Sequence, residues 1–396
     1  MRALICGAGI AGLTLARLHT DQGWEVLLVE RARTARGGDY AIDLWGPGFD
    51  VAEALGLLPT LRRAALGIEE ATFVDRRGRP VAALNYRQLG VLAGGRLLTI
   101  LRRDLEHALR EGLENRVDLR EGTTVDRFKR VGGGVSVTLS DGTEQVADLL
   151  VGADGIHSRV RALAFGAEET LFRPLGIHVA AYTFVEPELS AFVGRRFWVA
   201  DEVGRFFALY GLTGGRVGVL AAHRSDSAEV PEDPRPVLRR VHQGPGGPVA
   251  EALDQCPAPP SLFYDRVGQI EMNAWTCGPV VLVGDAAQAV SLLAGEGASL
   301  ALAGAWALAA AVREEPGLDA ALAAYERRMR PIVLSKQASG RRMATWFVPA
   351  TRWRRLVRRF GLRLLRLRTV GPRLLRSTFG RGLEGPSWTD RPRRAT

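Results

Sequence analysis

Three glycines and a glutamate near the N-terminus have the spacing of a phosphate-binding turn. Gly7, Gly9 and Gly12 follow a short apolar run that predicts a strand, and Glu30 ends the next such run. Glycines allow a tight turn and bring a pyrophosphate close to a helix N-terminus, while a carboxylate at this distance accepts ribose hydroxyls. The pattern predicts a dinucleotide site without choosing between FAD and NAD. The same region is expected to supply further cofactor contacts from Ile10, Ala11 and Arg31.

Two later motifs place an aspartate after a predicted strand. Asp154 lies in the run Val151–Arg161, which reads VGADGIHSRVR, and Asp285 lies in Val280–Ala287, which reads VVLVGDAA. In an open α/β sheet, side chains at the carboxyl end of a strand face the ligand crevice. Arg102, in the run LRRDL, adds a guanidinium whose fork fits a phosphate.

In their order along the chain, these motifs resemble the signature motifs of the single-component aromatic hydroxylase family of FAD monooxygenases, which includes para-hydroxybenzoate hydroxylase and the tetracycline-inactivating monooxygenases. The resemblance covers roughly residues 1 to 340. It implies bound FAD, with NAD(P)H and dioxygen as co-substrates, and a flavin that itself carries the chemistry, so no catalytic residue is assigned. It also implies that Asp285 binds ribityl hydroxyls, that Arg102 binds the flavin's phosphates, and that Asp154 lies near the pyrophosphate in a region also used by NAD(P)H.

Several of these residues have a plainer structural explanation. Asp154 is also suited to capping a helix N-terminus, and Arg102 to a charged position on a helix surface. The turn Gly295–Gly297 would point free backbone amides at the flavin's pyrimidine edge, or would simply precede a core helix. The cofactor contacts expected from this turn and the helix after it are Gly295, Gly297, Ala298 and Ser299.

Three positions depart from the family pattern. Gln288 stands where many members have histidine, Leu292 where a proline is expected, and Glu296 where glutamine is frequent. An ionised carboxylate aimed at the flavin would oppose the reduced anion, so Glu296 is expected to face solvent or a basic partner. These departures keep an alternative open, namely a flavin-binding oxidoreductase or flavin-binding protein without monooxygenation.

The middle of the chain contains alternating aromatic runs between His178 and His223, which predict an antiparallel sheet separate from the first one. One face of this sheet would line a cavity over the flavin, or the aromatic residues would simply build its core. The expected substrate is a small apolar molecule, aromatic or polycyclic. Its candidate contacts are Trp198, Phe207, Tyr210 and Leu292.

Positioning these residues requires an α/β fold, with a Rossmann-type FAD-binding domain, an inserted antiparallel sheet as the substrate domain, and a C-terminal helical region. Within this fold, the leucines of Leu97–Leu109 suit one helical face. The FAD-binding domain is expected over residues 1–75, 98–170 and 270–340. The substrate domain is expected over residues 76–97 and 171–269, followed by a helical tail over 341–396.

Other kinds of chemistry lack the residues that they need. Neither Lys129 nor Lys336 follows a glycine, which excludes a P-loop, and no G-x-S-x-G elbow occurs. The six histidines never take a zinc-binding spacing, so no metal site is expected. Three scattered cysteines suit a reducing compartment, and no apolar run reaches the length of a membrane-spanning helix. A cytoplasmic location is therefore expected.

The C-terminal tail holds most of the positive charge. Residues 341–396 contain sixteen arginines against two acidic residues, a net charge of +14, whereas residues 1–340 sum to −4. The tail predicts a cationic amphipathic helix that ends near Gly371-Pro372, with an apolar stripe of Trp353, Val357, Phe360, Leu364 and Leu367. This stripe is expected to pack on the enzyme's own body rather than on anionic lipid or an acidic partner protein. Nucleic-acid binding is not expected, and the chain is expected to be a monomer or dimer.

Overall fold

The chain begins with a strand, a helix and a second strand. The computed structural model of this chain describes residues 1–33, 39–75, 77–244, 246–364 and 388–389. The strands are β1 (Arg2–Cys6), β2 (Glu25–Glu30), β3 (Ala41–Trp45), β4 (Glu70–Val74), β5 (Pro80–Asn85), β6 (Leu97–Leu101), β7 (Asp118–Glu121), β8 (Val125–Val131), β9 (Gly134–Leu139), β10 (Glu144–Ala147), β11 (Leu149–Gly152), β12 (Phe172–Val185), β13 (Arg196–Glu202), β14 (Arg205–Leu212), β15 (Arg216–Arg224), β16 (Phe263–Ile270) and β17 (Val280–Leu282). The helices are α1 (Ile10–Asp21), α2 (Pro47–Ala54), α3 (Leu58–Arg63), α4 (Tyr86–Leu92), α5 (Arg102–Glu111), α6 (Arg159–Phe165), α7 (Glu168–Leu171), α8 (Pro187–Val193), α9 (Arg235–His242), α10 (Pro248–Asp254), α11 (Asp285–Gln288), α12 (Gly297–Glu314), α13 (Leu318–Phe347) and α14 (Arg352–Leu364).

The glycine turn lies at the edge of a parallel sheet with the strand order β17-β11-β1-β2-β7. β1 pairs with β2 on one side and β11 on the other, and its residues from Ala3 to Cys6 are almost completely buried. A continuous apolar strand of this kind is typical of a parallel sheet that is covered on both faces. The backbone N–H of Ala153 donates to the carbonyl of Cys6 at 2.8 Å, so the glycine turn and the Asp154 loop meet at the carboxyl ends of neighbouring strands.

A second sheet has seven strands in the order β16-β12-β15-β14-β13-β4-β5. Its neighbouring strands are antiparallel except β13 and β4, which run parallel. The two sheets confirm the predicted α/β fold with an inserted, mainly antiparallel sheet. β4 belongs to the second sheet, although the boundary expected at residue 75 places it with the cofactor domain. Long-range pairs such as Val199 with Phe73 decide this membership, and the order of residues along the chain does not reveal them.

The segment around Arg102 differs from the single helical face predicted for Leu97–Leu109. The first five residues form β6, which pairs with β3, and α5 begins only at Arg102. The pair of Ile42 with Ile100 buries Ile100 completely, and such cross-strand packing outweighs the weak local preference of the segment. Arg102 therefore stands at a strand-to-helix junction.

Three helices close the described part of the chain. α12 packs against α1 and α2, and α13 continues for 30 residues despite Pro331 in its interior. No helix within the described ranges is long and apolar enough to cross a membrane. α14 is the described part of the predicted cationic helix, whose expected end near Gly371-Pro372 lies outside the described residues.

The orientation of α14 is opposite to the prediction. The stripe residues Trp353, Val357 and Phe360 are exposed, so this part of the stripe does not pack on the described body. Arg358 instead faces inward and is buried, and its guanidinium forms an ion pair with Asp201 of β13. A buried charge without a partner is strongly unfavourable, and this pair therefore fixes which side of the helix faces the body.

Candidate functional site

The glycine turn leaves no room for side chains at two of its glycines. A Cβ at Gly12 would lie 1.9 Å from the carbonyl oxygen of Gly7, and a Cβ at Gly7 would lie 2.4 Å from that of Ala153. Gly7 also has a φ of +107°, which other residues rarely adopt. At Gly9, in contrast, a Cβ would come no closer than 3.7 Å, to Arg102. The turn is closed against the sheet and open on the side of Gly9.

A cavity of about 490 Å³ opens over this turn. The Oε2 atom of Glu30 accepts a hydrogen bond from the backbone N–H of Ala8 at 2.8 Å, and Oε1 accepts one from Ala32 at 2.9 Å. These bonds hold the carboxylate at the edge of the cavity, in the position where such an acid accepts ribose hydroxyls. The lining of this first cavity includes Gly7, Gly9, Glu30, Arg31, Arg102 and Asp154.

Arg102 and Asp285 line a second cavity, of about 260 Å³, which continues from the first. Gly9, Arg31 and Arg102 line both cavities. The Nη2 atom of Arg102 lies 2.6 Å from Oε1 of Glu106, one turn further along α5, which holds the guanidinium at the junction. Burial raises the pKa of Asp285, and the positive charge of Arg102 opposes the rise. The carboxylate itself is exposed to the cavity, where the hydroxyl groups of a ribityl chain would donate hydrogen bonds to it.

Asp154 lines both cavities and also binds the N-terminus of α6, which begins at Arg159. Its carboxylate accepts hydrogen bonds from the hydroxyl of Ser158 at 2.5 Å and from the backbone N–H groups of Arg159 and Val160 at 2.6 and 3.2 Å. Burial raises the pKa of Asp154, and these hydrogen bonds oppose the rise. The structural explanation, stabilisation of a helix N-terminus, accounts for these contacts. The role near the pyrophosphate stays a prediction.

The first residues of α12 line the second cavity, but the predicted cofactor contact Ser299 does not. Ser299 is buried, and its hydroxyl donates to the carbonyl of Trp45 at 3.1 Å, so this side chain ties α12 to β3 instead. The first N–H groups of a helix have no partner within the helix and are available to a ligand there. The second cavity is also lined by Ile10, Ala11, Gly295, Gly297 and Ala298.

At two of the three positions that depart from the family pattern, the side chain binds another side chain of this protein. Oε1 of Glu296 lies 2.7 Å from Nζ of Lys336, which is the basic partner that the sequence predicts. Gln288 is buried, and its amide donates to the hydroxyl of Tyr325 at 2.7 Å. Leu292 differs, because it lines the second cavity. Gln288 and Glu296 therefore stabilise the helices around the cleft.

A third cavity, of about 250 Å³, adjoins the second. Both are lined by Tyr40, Ile42, Leu292 and Gly295, so the three cavities follow one another from the glycine turn to the second sheet. Other walls of the third cavity are mostly apolar and come from β13, β14 and α13, with Phe197, Val199, Phe206, Ala208, Tyr210, Met343, Trp346 and Phe347 among them. We call this third space the apolar cavity.

Of the four predicted substrate contacts, Tyr210 and Leu292 line the apolar cavity, and Trp198 and Phe207 do not. Successive residues of a strand point to opposite faces of a sheet. Trp198 and Phe207 face the side away from the cavity, where they are buried in a core that includes Leu238 of α9. For these two residues, the structure supports the alternative that the aromatic side chains build the core.

The sequence motifs do not identify Asp43 and Tyr86, a polar pair in the apolar cavity. Thr99 donates a hydrogen bond to Oδ1 of Asp43 at 2.6 Å, and the hydroxyl of Tyr86 donates to Oδ2 at 3.2 Å. Burial raises the pKa of Asp43, and these two hydrogen bonds oppose the rise. Asp43 and Tyr86 both line the cavity. The glycine-rich surroundings of β3 hide this strand in the sequence, and only its pairing with β6 shows where Asp43 lies.

His157, in the Asp154 loop, was also not predicted as a site residue. Its Nδ1 lies 2.9 Å from Oε1 of Glu168, and its Nε2 lies 2.9 Å from Oδ2 of Asp265. The hydrogen bond to Asp265 raises the pKa of His157, burial opposes the rise, and Glu168 adds to it. The ring lines both cofactor cavities and connects their loop to β16 of the second sheet.

The first two cavities fit FAD in shape and in chemistry. A turn without room for side chains suits a pyrophosphate, Arg102 a phosphate, and Asp285 a polyol. Within the described ranges, no group of three or more His, Cys, Asp or Glu residues is placed to hold a metal ion. The fold and the cleft together define a flavin-dependent oxidoreductase.

The comparison with protein families agrees with this class. Residues 1–337 match the family model described as FAD binding domain. Because the match covers most of the chain, the chain belongs to this family, with FAD as its cofactor. The resemblance drawn from the glycine turn and the two aspartate motifs is confirmed.

Curated relatives extend over most of this chain. Uncharacterized protein Rv1260 of Mycobacterium tuberculosis (strain ATCC 25618 / H37Rv) is 32% identical over 324 residues, covering 77% of this chain and 83% of its own. FAD-dependent monooxygenase asL4 of Sarocladium schorii is 26% identical over 418 residues, covering 95% of each chain. A flavin-dependent monooxygenase from an unknown prokaryotic organism is 26% identical over 351 residues, covering 86% of this chain and 88% of its own.

Solved structures share the fold along nearly the whole chain. HpxO of Klebsiella pneumoniae, complexed with FAD and uric acid, has a TM-score of 0.81 at 24% identity and covers 98% of this chain and 97% of its own. Tetracycline destructase Tet(51) has a TM-score of 0.79 at 22% identity, with 97% and 99% covered. PqsL of Pseudomonas aeruginosa, described as a probable FAD-dependent monooxygenase, has a TM-score of 0.67 at 26% identity, with 91% and 99% covered.

Proposed function

We propose that this chain is an FAD-dependent monooxygenase that uses NAD(P)H and dioxygen to oxygenate a small, mainly apolar molecule, aromatic or polycyclic. The continuity of the cofactor cleft with the apolar cavity carries the proposal. Leu292 and Gly295 line both the second cavity and the apolar cavity, so a compound in one would lie against a flavin in the other. The relatives named FAD-dependent or flavin-dependent monooxygenase support this reaction class.

Each part of the cleft has a task in this proposal. Glu30 would bind the ribose, Arg102 the phosphates and Asp285 the ribityl hydroxyls. FAD supplies, when bound, the redox chemistry that amino-acid side chains lack. Phe206 and Trp346 exclude water from the apolar cavity, which protects the site of oxygen transfer from unproductive reaction.

NAD(P)H would bind transiently. Among the described residues, Gly7–Gly12 is the one G-x-G-x-x-G turn, and FAD takes that turn in this proposal. The nicotinamide nucleotide would therefore lie along the cleft near Asp154, without a Rossmann domain of its own. Arg103 and Arg159 are exposed in this part of the cleft. Each pairs with an aspartate, Asp39 and Asp126 respectively, and its remaining guanidinium N–H groups suit the phosphates of such a nucleotide.

The pair Asp43 and Tyr86 narrows the substrate class. In an apolar wall, a carboxylate accepts a hydrogen bond from a hydroxyl or amino group and repels an anion. We therefore expect an uncharged ring compound that carries such a donor. Uric acid in the HpxO structure and 2-aminobenzoylacetate in a PqsL structure show that small ring compounds occur in structures of this fold.

An oxygen-uptake experiment tests the proposal. Purified FAD-loaded protein is mixed with NADPH or NADH and a panel of neutral phenols, with tetracycline and uric acid as additional probes. We expect at least one neutral phenol to accelerate oxygen consumption and to yield a product with one more oxygen atom by mass spectrometry.

A cavity-filling variant provides the control. Ala208 lines the apolar cavity but neither of the cofactor cavities. Ala208→Phe should therefore abolish the stimulation by the phenol while FAD stays bound. Oxygen consumption that no compound changes, with all the oxygen recovered as hydrogen peroxide, would contradict a monooxygenase and indicate an oxidase.

A further inference from the structure

The outward side of α14 carries a row of large apolar side chains. Trp353, Leu356, Val357 and Phe360 are 72%, 54%, 52% and 65% exposed in the described structure. Their spacing of three, one and three residues places them on one side of the helix. Single exposed apolar residues are ordinary, but a contiguous row on one helix is typical of an interaction surface.

Arginines flank this row. α14 contains six arginines and no acidic residue, and Arg352, Arg354 and Arg363 are exposed. Two others, Arg358 and Arg359, face inward and pair with Asp201. The outward side therefore combines an apolar centre with a cationic rim.

The body holds the helix in this orientation. Arg358 donates hydrogen bonds to the carbonyls of Trp346 and Phe347 at 2.7 and 2.9 Å in addition to its ion pair with Asp201. Leu362, on the same inward side, is buried. Turning the apolar row inward would break this buried pair and leave Asp201 without its charge partner, which is strongly unfavourable.

We propose that the outward side of α14 docks on an anionic lipid surface. A helix with aromatic and aliphatic residues on one side and arginines beside them lies in the plane of a bilayer interface, with the arginines at the phosphate headgroups. Residues 365–387 contain five arginines and one glutamate, and a second copy would bring the same arginines. If residues 365–387 or a second copy of the chain covered α14, positive charge would lie against positive charge. Anionic lipid, in contrast, complements both the apolar row and its rim.

This docking surface does not depend on the proposed reaction. The surface nevertheless lies close to the apolar cavity, because Arg358 on the inward side of α14 and Phe347 at the end of α13 both line that cavity. Docking would bring the apolar cavity close to the bilayer, from which an apolar compound could enter.

Vesicle sedimentation of the full-length, FAD-loaded protein tests the proposal. We expect the protein to sediment with vesicles of phosphatidylcholine and phosphatidylglycerol, and not with phosphatidylcholine alone. Arg352→Gln and Arg354→Gln should each lower the partition coefficient about fivefold, as expected for one arginine near an anionic surface. Trp353→Ser combined with Phe360→Ser should abolish sedimentation without changing flavin absorbance.

A matched control uses two exposed apolar residues outside α14, at the end of β12 and in α8. Val185 and Phe192 are 64% and 50% exposed, and Val185→Ser with Phe192→Ser should leave vesicle binding unchanged. Absence of binding to anionic vesicles, equal binding to neutral vesicles, or full binding by the Trp353 and Phe360 double variant would overturn the proposal. A dimer in light scattering that this double variant dissociates would assign the surface to a second copy and overturn it as well.

Discussion

The hydroxyl of Tyr86 donates a hydrogen bond to the carboxylate of Asp43, 3.2 Å away, on the wall of a mostly apolar cavity. The other carboxylate oxygen accepts a hydrogen bond from Thr99. Two hydroxyl donors hold this half-buried carboxylate in one orientation, which suits it to accept a further hydrogen bond from a substrate. In the proposed function, this pair would give the apolar cavity a preference for uncharged compounds with a hydroxyl or amino group.

Asp43→Asn keeps the size of the side chain and removes its charge. We expect kcat/KM for a neutral phenol to fall about 10- to 100-fold, the range for one hydrogen bond to a charged group, while FAD stays bound. Because the pKa of Asp43 lies above its usual value of 3.8, the wild-type rate should rise with pH through this raised pKa, and the variant should lack that rise. Steady-state kinetics across pH measures both effects. The same pH profile in both proteins would show that Asp43 does not contact the substrate.

Arg102→Ala and Asp285→Ala should each weaken FAD binding. Loss of one charge-assisted contact costs on the order of 1 to 3 kcal/mol, which corresponds to a rise in Kd of about 5- to 150-fold. Equilibrium dialysis of apoprotein with FAD measures the change. Arg116→Ala is the matched control, because Arg116 pairs with Asp21 at the surface, away from the cleft. Unchanged FAD affinity in both cleft variants would refute the assignment of these residues.

The position of the cofactor cleft was predictable because its constraints are local. Gly7 and Gly12 have no room for a side chain, and a strand, a turn and a helix in this order place the turn at the edge of the sheet. The aspartate motifs follow strands of the same sheet and therefore reach the same edge. Ser299 shows the limit of this reasoning, since the carbonyl of Trp45, distant in sequence, decides where its hydroxyl points.

Arg358→Met should destabilise the protein. It leaves the buried carboxylate of Asp201 with Arg359 as its remaining charge partner, and removal of one member of a buried pair costs about 3 to 5 kcal/mol. Urea unfolding followed by tryptophan fluorescence measures the loss. Arg363→Met is the control, because Arg363 is exposed and donates to the carbonyl of Val81. Equal stability of the two variants would show that the pair with Asp201 does not anchor α14.

His157 should make part of the stability dependent on pH. Its folded pKa is raised above 6.5, mainly by the hydrogen bond to Asp265, so its contribution is fully present below pH 6.5 and is lost as pH rises through the folded pKa. The difference in unfolding free energy between wild type and His157→Gln should therefore shrink as pH rises above neutrality. Urea unfolding at a series of pH values measures it, with exposed His107→Gln as the control. A difference that grows with pH would contradict this account.

The second sheet and the tail show why other features could not be predicted. Alternation along β13 and β14 identifies residues that share a face, but Trp198 and Phe207 are covered by α9 and α10, which the alternation does not reveal. The helical period of α14 likewise identifies its apolar stripe. Its orientation depends on the contact of Arg358 with Asp201, which lies 157 residues earlier. In both cases, long-range packing decides which of two faces is buried.

Anaerobic rapid mixing of the FAD-loaded protein with NADPH or NADH tests the central claim most directly. If the cleft holds a flavin that serves a monooxygenase, at least one nicotinamide nucleotide will bleach the visible absorbance of the bound FAD, and admission of dioxygen will restore it. Neutral phenols that fit the apolar cavity should accelerate the bleaching. FAD that dithionite reduces, but that neither nucleotide reduces with or without the phenol panel, would contradict the account.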